Sequence, residues 1–175
     1  MDFDKFLRQY RKKPLVDQQS VASKLDFGIE EIQRIIPHRS PFLLIDRLTG
    51  VDLEAECITG ERIIKADDPV FEGHFPGSPV YPGVLELEMI GQLALCLHYF
   101  LSEKTVNIAQ DARPVPVRAT RVLGAYYLAP IVPDCTVGLS AKSIEFDGFL
   151  ARVVGQALVG DQVCCAVVSE GYLLE

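Results

Sequence analysis

The chain has 175 residues, 49% hydrophobic and 23% charged, with 17 basic against 24 acidic side chains and a net charge of −7. That length supports one domain with a substantial core, and the acidic balance argues against nucleic acid as the main partner. Five cysteines, odd in number and without C-x-x-C spacing, suit reduced, mostly buried side chains of a cytoplasmic protein better than a disulfide or metal framework.

Phe3, Phe6, Leu7 and Tyr10 fall at helical spacing, which predicts an amphipathic helix over the first twelve residues, closed by Lys12-Lys13-Pro14. The N-terminus is charged and lacks the apolar core of a secretory signal. Arg8, Arg11, Lys12 and Lys13 make this helix basic. It either packs on the domain with a solvated face or serves as a docking arm for an acidic partner. Leu15 to Leu25 has the character of a polar linker, so residues 1–26 are expected to form a helix and linker and residues 27–175 the main domain. A second helix is expected from Ile29 through Ile32, Ile35 and Ile36, ending at Pro37. Pro41 to Arg47 is a short apolar run consistent with a strand, and Leu53 to Ile64 alternates as its antiparallel neighbour.

The segment Gly73-His74-Phe75-Pro76-Gly77-Ser78-Pro79-Val80-Tyr81-Pro82-Gly83-Val84 is rich in proline and glycine, and Pro82 sits where a first helical turn accepts it. Val84 to Ser102 is apolar almost all round, which predicts a helix enclosed by the rest of the fold. Glu86, Glu88, Gln92 and His98 interrupt it, so no membrane span is expected. Glu88 and Gln92 share one helix face, whereas Glu86 points nearly the opposite way and is expected to be a solvated or interface charge. The remainder predicts strands over Val115–Leu128, Thr136–Phe146, Leu150–Val159 and Val163–Leu174, the last three joined by hairpins at Asp147-Gly148 and Gly160-Asp161. One long helix among antiparallel strands gives an α+β architecture with a curved sheet wrapped around the helix. Its open edges are expected to pair with a second subunit.

Two motifs carry a family resemblance. Pro37-His38-Arg39-x-Pro41-Phe42-Leu43-Leu44-Ile45-Asp46-Arg47 comes first, followed by Gly73-His74-Phe75-Pro76-Gly77-x-Pro79-x-x-Pro82-Gly83-Val84-x-x-x-Glu88-x-x-x-Gln92. From about Phe27 to the C-terminus the chain closely resembles the β-hydroxyacyl-[acyl-carrier-protein] dehydratases of hotdog fold, the FabZ/FabA type. The acid fourteen residues after the histidine is Glu in the FabZ branch and Asp in the FabA branch, so Glu88 places the chain nearer FabZ. The resemblance implies a hotdog homodimer, often a trimer of dimers, in which His74 of one subunit faces Glu88 of the other. It also implies a substrate carried on the phosphopantetheine arm of acyl carrier protein, a trans-2-enoyl product, and no metal or diffusible cofactor.

Such a dehydration needs a base for the carbon next to the thioester carbonyl and an acid for the leaving hydroxyl. A histidine such as His74 can offer a neutral imidazole as base and suits the first task. Glu88, in an apolar setting that favours its protonated form, suits the second. Gly83 is the candidate amide for the developing oxyanion, because a helix start offers unpaired N–H groups and Pro82 has none. Val84 beside it is assigned to substrate binding, and Gln92 to orienting Glu88. His38 is expected to cap or pack, and His98 to be structural. Tyr81 is expected either to pack or to line a tunnel mouth.

The chain departs from the family at Tyr126-Tyr127-Leu128-Ala129-Pro130-Ile131-Val132-Pro133-Asp134-Cys135, where typical members carry basic residues and a Gly-Asp pair. Carrier docking would then use Arg39, Arg118, Arg121 or the basic N-terminal helix, as in a dehydratase of a specialised lipid or polyketide pathway. The alternatives are a hotdog acyl thioesterase and a non-catalytic acyl-thioester-binding subunit.

Overall fold

The computed structural model describes residues 2–17, 20–114 and 116–174. In chain order these form α1 (Phe3–Arg8), β1 (Ser23–Phe27), α2 (Ile29–Ile35), β2 (Arg47–Asp52), β3 (Cys57–Ile64), α3 (Gly83–Glu103), β4 (Val117–Tyr127), β5 (Cys135–Phe146), β6 (Leu150–Val159) and β7 (Gln162–Leu173). The strands make one antiparallel sheet in the order β1-β2-β3-β5-β6-β7-β4, and α3 packs against β3, β5, β6 and β7. This is the expected hotdog architecture. The two expected hairpins are present, with Gly148 and Gly160 supplying the positive φ their turns require (95° and 57°).

Helix α3 starts where Pro82 ends the extended loop and stops at Lys104, which adopts the left-handed conformation. Met89, Ile90, Leu93, Cys96, Leu97 and Phe100 point into the core and are almost fully buried. The helix can lie so close because β6 carries Gly155. A Cβ there would sit 2.2 Å from the Ile90 side chain, so any larger residue would push helix and sheet apart. Among the described residues α3 is the one helix long and apolar enough to cross a membrane, and it is the core helix of this sheet.

The α3 expectation needs one correction: the fold encloses only one face of the helix. Val84 is 69% exposed, and Val84, Leu87, Gly91 and Leu95 line an apolar cavity of about 460 Å³ along the other face.

The N-terminal helix is shorter than expected, ending at Arg8, and it packs on the domain. Leu7 is fully buried against Val154, Ala166 and Val168, with Phe3, Phe6 and Tyr10 around it. The chain that follows is tied down by Gln156, itself 0% exposed. Its amide accepts from Leu15 N at 2.5 Å and donates to the carbonyls of Lys13 (3.0 Å) and Tyr10. Tyr126 O–H donates to the Asp4 carboxylate, and the Arg11 guanidinium lies over the Tyr126 ring at 4.8 Å.

Two further expectations change. Leu15 to Leu25 contains the start of β1, an edge strand that pairs with β2 and whose alternate residues face solvent. Its polar composition hid it. Pro41 to Ile45 is not a strand; β2 begins at Arg47, and β3 at Cys57 rather than Leu53. Leu43, Leu44 and Ile45 are buried in succession rather than alternately. A side chain takes two backbone groups of this segment: Leu44 N donates to Gln92 Oε1 and Phe42 O accepts from Gln92 Nε2, both at 2.8 Å.

Candidate active site

His74 follows a short 3₁₀ turn over Pro69–Glu72, and the loop folds back on it. Its backbone N–H donates to Val70 O at 3.1 Å, and Val80 N donates to its carbonyl at 3.0 Å. Its Nδ1 lies 2.7 Å from Val80 O. A carbonyl can only accept, so Nδ1 carries the proton and a neutral ring keeps its lone pair on Nε2. The ring stacks on Phe75 at 4.1 Å.

His74 shares a cleft of about 460 Å³ with Gly83, Val84, Glu86, Tyr127 and Ala129. Gly83 is the first residue of α3, so its N–H is one of the amides an α-helix leaves without an internal partner. A Cβ there would stand 2.6 Å from the Tyr127 ring, so any larger residue would displace that ring. An imidazole and a helix-start amide therefore border one space.

Glu88 belongs to the other cavity, and within one chain it and His74 do not line a common space; Val84 borders both. Gln92 donates from Nε2 to Glu88 Oε1 at 3.0 Å while anchoring residues 42 and 44. The protonation state of Glu88 is corrected. His38 Nε2 lies 3.3 Å from Glu88 Oε1, and the His38 contact, with help from Gln92, outweighs burial and holds the Glu88 carboxyl below its ordinary range. In one chain the ionised form is favoured.

His38, expected to cap or pack, instead meets Glu88 across the fold. No pattern near Pro37-His38-Arg39 marks this contact, because Glu88 lies fifty residues further along the chain. Arg39 is the residue that caps, donating to the carbonyls of Gln33, Ile36 and His38.

Glu86 is the largest surprise. Expected as a solvated or interface charge, it is 3% exposed and turned toward the sheet. Its Oε2 has no hydrogen-bond partner among the described residues, and burial pushes the carboxyl up to about 7. The wheel gave the angle between Glu86 and Glu88 correctly, but the open face of α3 is the Glu88 face. His98 borders the Glu88 cavity, lies 3.0 Å from Ser102 Oγ and is held below its ordinary value by burial. Tyr81 is buried, packs edge-on to Phe71 and floors the His74 cleft.

Comparison with known proteins adds to this geometry. Residues 36–167 match the FabA-like domain family. The chain is 49% identical over 155 residues to "3-hydroxyacyl-[acyl-carrier-protein] dehydratase FabZ" of Xanthomonas oryzae pv. oryzae, covering 85% of this chain and 97% of that one. It is 33% identical over 146 residues to the protein of the same name in Chlamydia trachomatis, covering 83% and 89%. Among solved structures it resembles the dehydratase heterocomplex ApeI:P of Xenorhabdus doucetiae, with TM-score 0.58, 14% identity and 82% and 91% coverage. It also resembles a hypothetical thioesterase with coenzyme A from Streptococcus pneumoniae, with TM-score 0.51, 7% identity and 67% and 78% coverage. At those identities the solved structures speak for the fold alone.

Proposed function

We propose that this chain, which belongs to the FabA-like family and dehydrates β-hydroxyacyl chains linked to acyl carrier protein, works as a two-fold dimer in which His74 of one copy and Glu88 of the other act on one substrate. The observation that carries this reading is the bond from His74 Nδ1 to Val80 O, which leaves Nε2 as a base in the cleft it shares with Gly83.

His74 Nε2 takes the proton from the carbon next to the thioester carbonyl, and the Gly83 amide receives the negative charge that builds on the carbonyl oxygen. The β-carbon–oxygen bond breaks as Glu88 gives its proton to the hydroxyl, which leaves as water. The imidazolium then returns a proton to the Glu88 carboxylate. For this, Glu88 must be protonated when substrate is bound. A second copy laid over the open face of α3 would exclude water from Glu88 and raise its carboxyl, and the two groups would then titrate as a coupled pair. The unpaired edge strand β4 and the exposed Val84 supply the surface for that copy.

The reaction serves fatty acid biosynthesis or a related acyl-chain pathway in the cytoplasm. The five free cysteines, buried except for the half-buried Cys135, suit that reducing compartment.

Hydration of a crotonyl thioester, followed in the ultraviolet, tests the assignment. His74→Ala and Glu88→Gln should each lose on the order of 10²-fold or more in kcat/KM. Thiol release without hydration would replace this reading with a thioesterase, and negligible turnover unchanged by His74→Ala with a binding subunit.

A further inference from the structure

Glu86 is left unused by that mechanism, and it is the most costly side chain in the site. An unpaired carboxyl oxygen in an apolar setting loses its water without compensation. Around it stand Tyr81, Tyr127, Cys164 and Cys165, and none of them pairs with Oε2 among the described residues. Glu86 is one of the residues that line the cleft holding His74 and Gly83.

The two cavities divide a thioester substrate between them. Gly83 sits in the cleft with His74, and Val84, the next residue, borders both spaces. A carbonyl held at the Gly83 amide therefore has one arm in each. The long apolar cavity, with Leu87, Gly91 and Leu95 along it, suits the acyl chain, whose β-hydroxyl meets Glu88 of the other copy. The cleft beside Tyr127, which is 55% exposed, leads to solvent and suits the arm by which the thioester is carried. That arm bears an amide N–H two carbons from the sulfur. Glu86 lies one helical turn beyond Gly83, about 5 Å along the axis, and helical side chains lean back toward the N-terminus.

We infer that Glu86 is a substrate-binding residue whose carboxyl accepts the first amide N–H of the thioester's carrier arm. This deepens the dehydratase reading and rests on it. The residue then sets which thioesters are accepted, because a substrate without that N–H leaves the buried oxygen unpaired. The carboxyl's tendency to stay neutral near pH 7 is compatible, since its carbonyl oxygen accepts in either state.

The test compares hydration of crotonyl N-acetylcysteamine with that of its N-methylated analogue, which keeps the size and the thioester but has no N–H. Wild type should prefer the N–H substrate by roughly 10- to 100-fold in kcat/KM, the range for leaving a buried acceptor unmet. Glu86→Gln keeps an acceptor and should retain the preference. Glu86→Ile, which suits the apolar surroundings and whose folding is checked by thermal melting, should bring the ratio near one. No preference in wild type, or the same preference in Glu86→Ile, overturns the inference and leaves dehydration standing. Failure of wild type to hydrate either substrate overturns the dehydratase reading and this inference with it.

Discussion

Replacing Glu86 by glutamine keeps the shape of the side chain and removes its charge, which turns the burial of this carboxyl into a measurable stability. The carboxyl rises from 4.5 in the unfolded chain to about 7 in the folded one, so the folded state binds the proton more tightly. Below about pH 4.5 both states are protonated and burial of the charge costs nothing. As pH climbs through the interval the folded state is progressively penalised, and above pH 7 the penalty is complete. At about 1.4 kcal/mol per unit, that shift makes wild type roughly 3 kcal/mol less stable above pH 7, relative to Glu86→Gln, than it is near pH 4.5. For a chain of this size that is roughly 6–12 °C in melting temperature. Urea unfolding at fixed protein concentration and pH 5.5, 7 and 8.5 reads the effect directly. The gap between the two proteins should widen with pH. A constant gap would mean that the Glu86 carboxyl is solvated or paired in solution, and would refute the reasoning.

Two other changes probe the Glu88 side. His38→Ala removes the largest influence holding that carboxyl down, so its titration, followed by carbon NMR, should move upward; an unmoved value would show that the 3.3 Å contact is not an ion pair. Gln92→Leu strips the partners from Leu44 N and Phe42 O and frees Glu88. It should cost about 2–4 kcal/mol in denaturant unfolding, the scale for buried groups left unpaired, and lower kcat more than it raises KM.

What could be seen in the sequence was whatever depends on neighbours in the chain. The glycine turns at 148 and 160 and the start of α3 at the Pro82-Gly83 step follow from local backbone rules, and the spacing of Glu88 and Gln92 from helix geometry. What could not be seen depends on where distant segments land. Leu43, Leu44 and Ile45 resembled a strand because nothing nearby says that Gln92 will take the hydrogen bonds a ladder would have used. Glu86 and Glu88 were correctly placed about opposite each other, yet a helical wheel has no marker for which side meets a sheet. His38 meets Glu88 across fifty residues, a pairing no local pattern encodes. Strand β1 was lost because an edge strand half open to water has the composition of a linker.

The clamp around Gln156 has a consequence for protein engineering. A glutamine sealed in the middle of a strand is tolerable only while the segment from Tyr10 to Leu15 occupies its amide, so the two behave as lock and key. Chimaeras that exchange the first fifteen residues with those of another hotdog protein should carry position 156 along. Removing that segment would return Gln156 to water but bare Val154, Ala166 and Val168, and a polar replacement among those three would keep the sheet's outer surface from becoming adhesive.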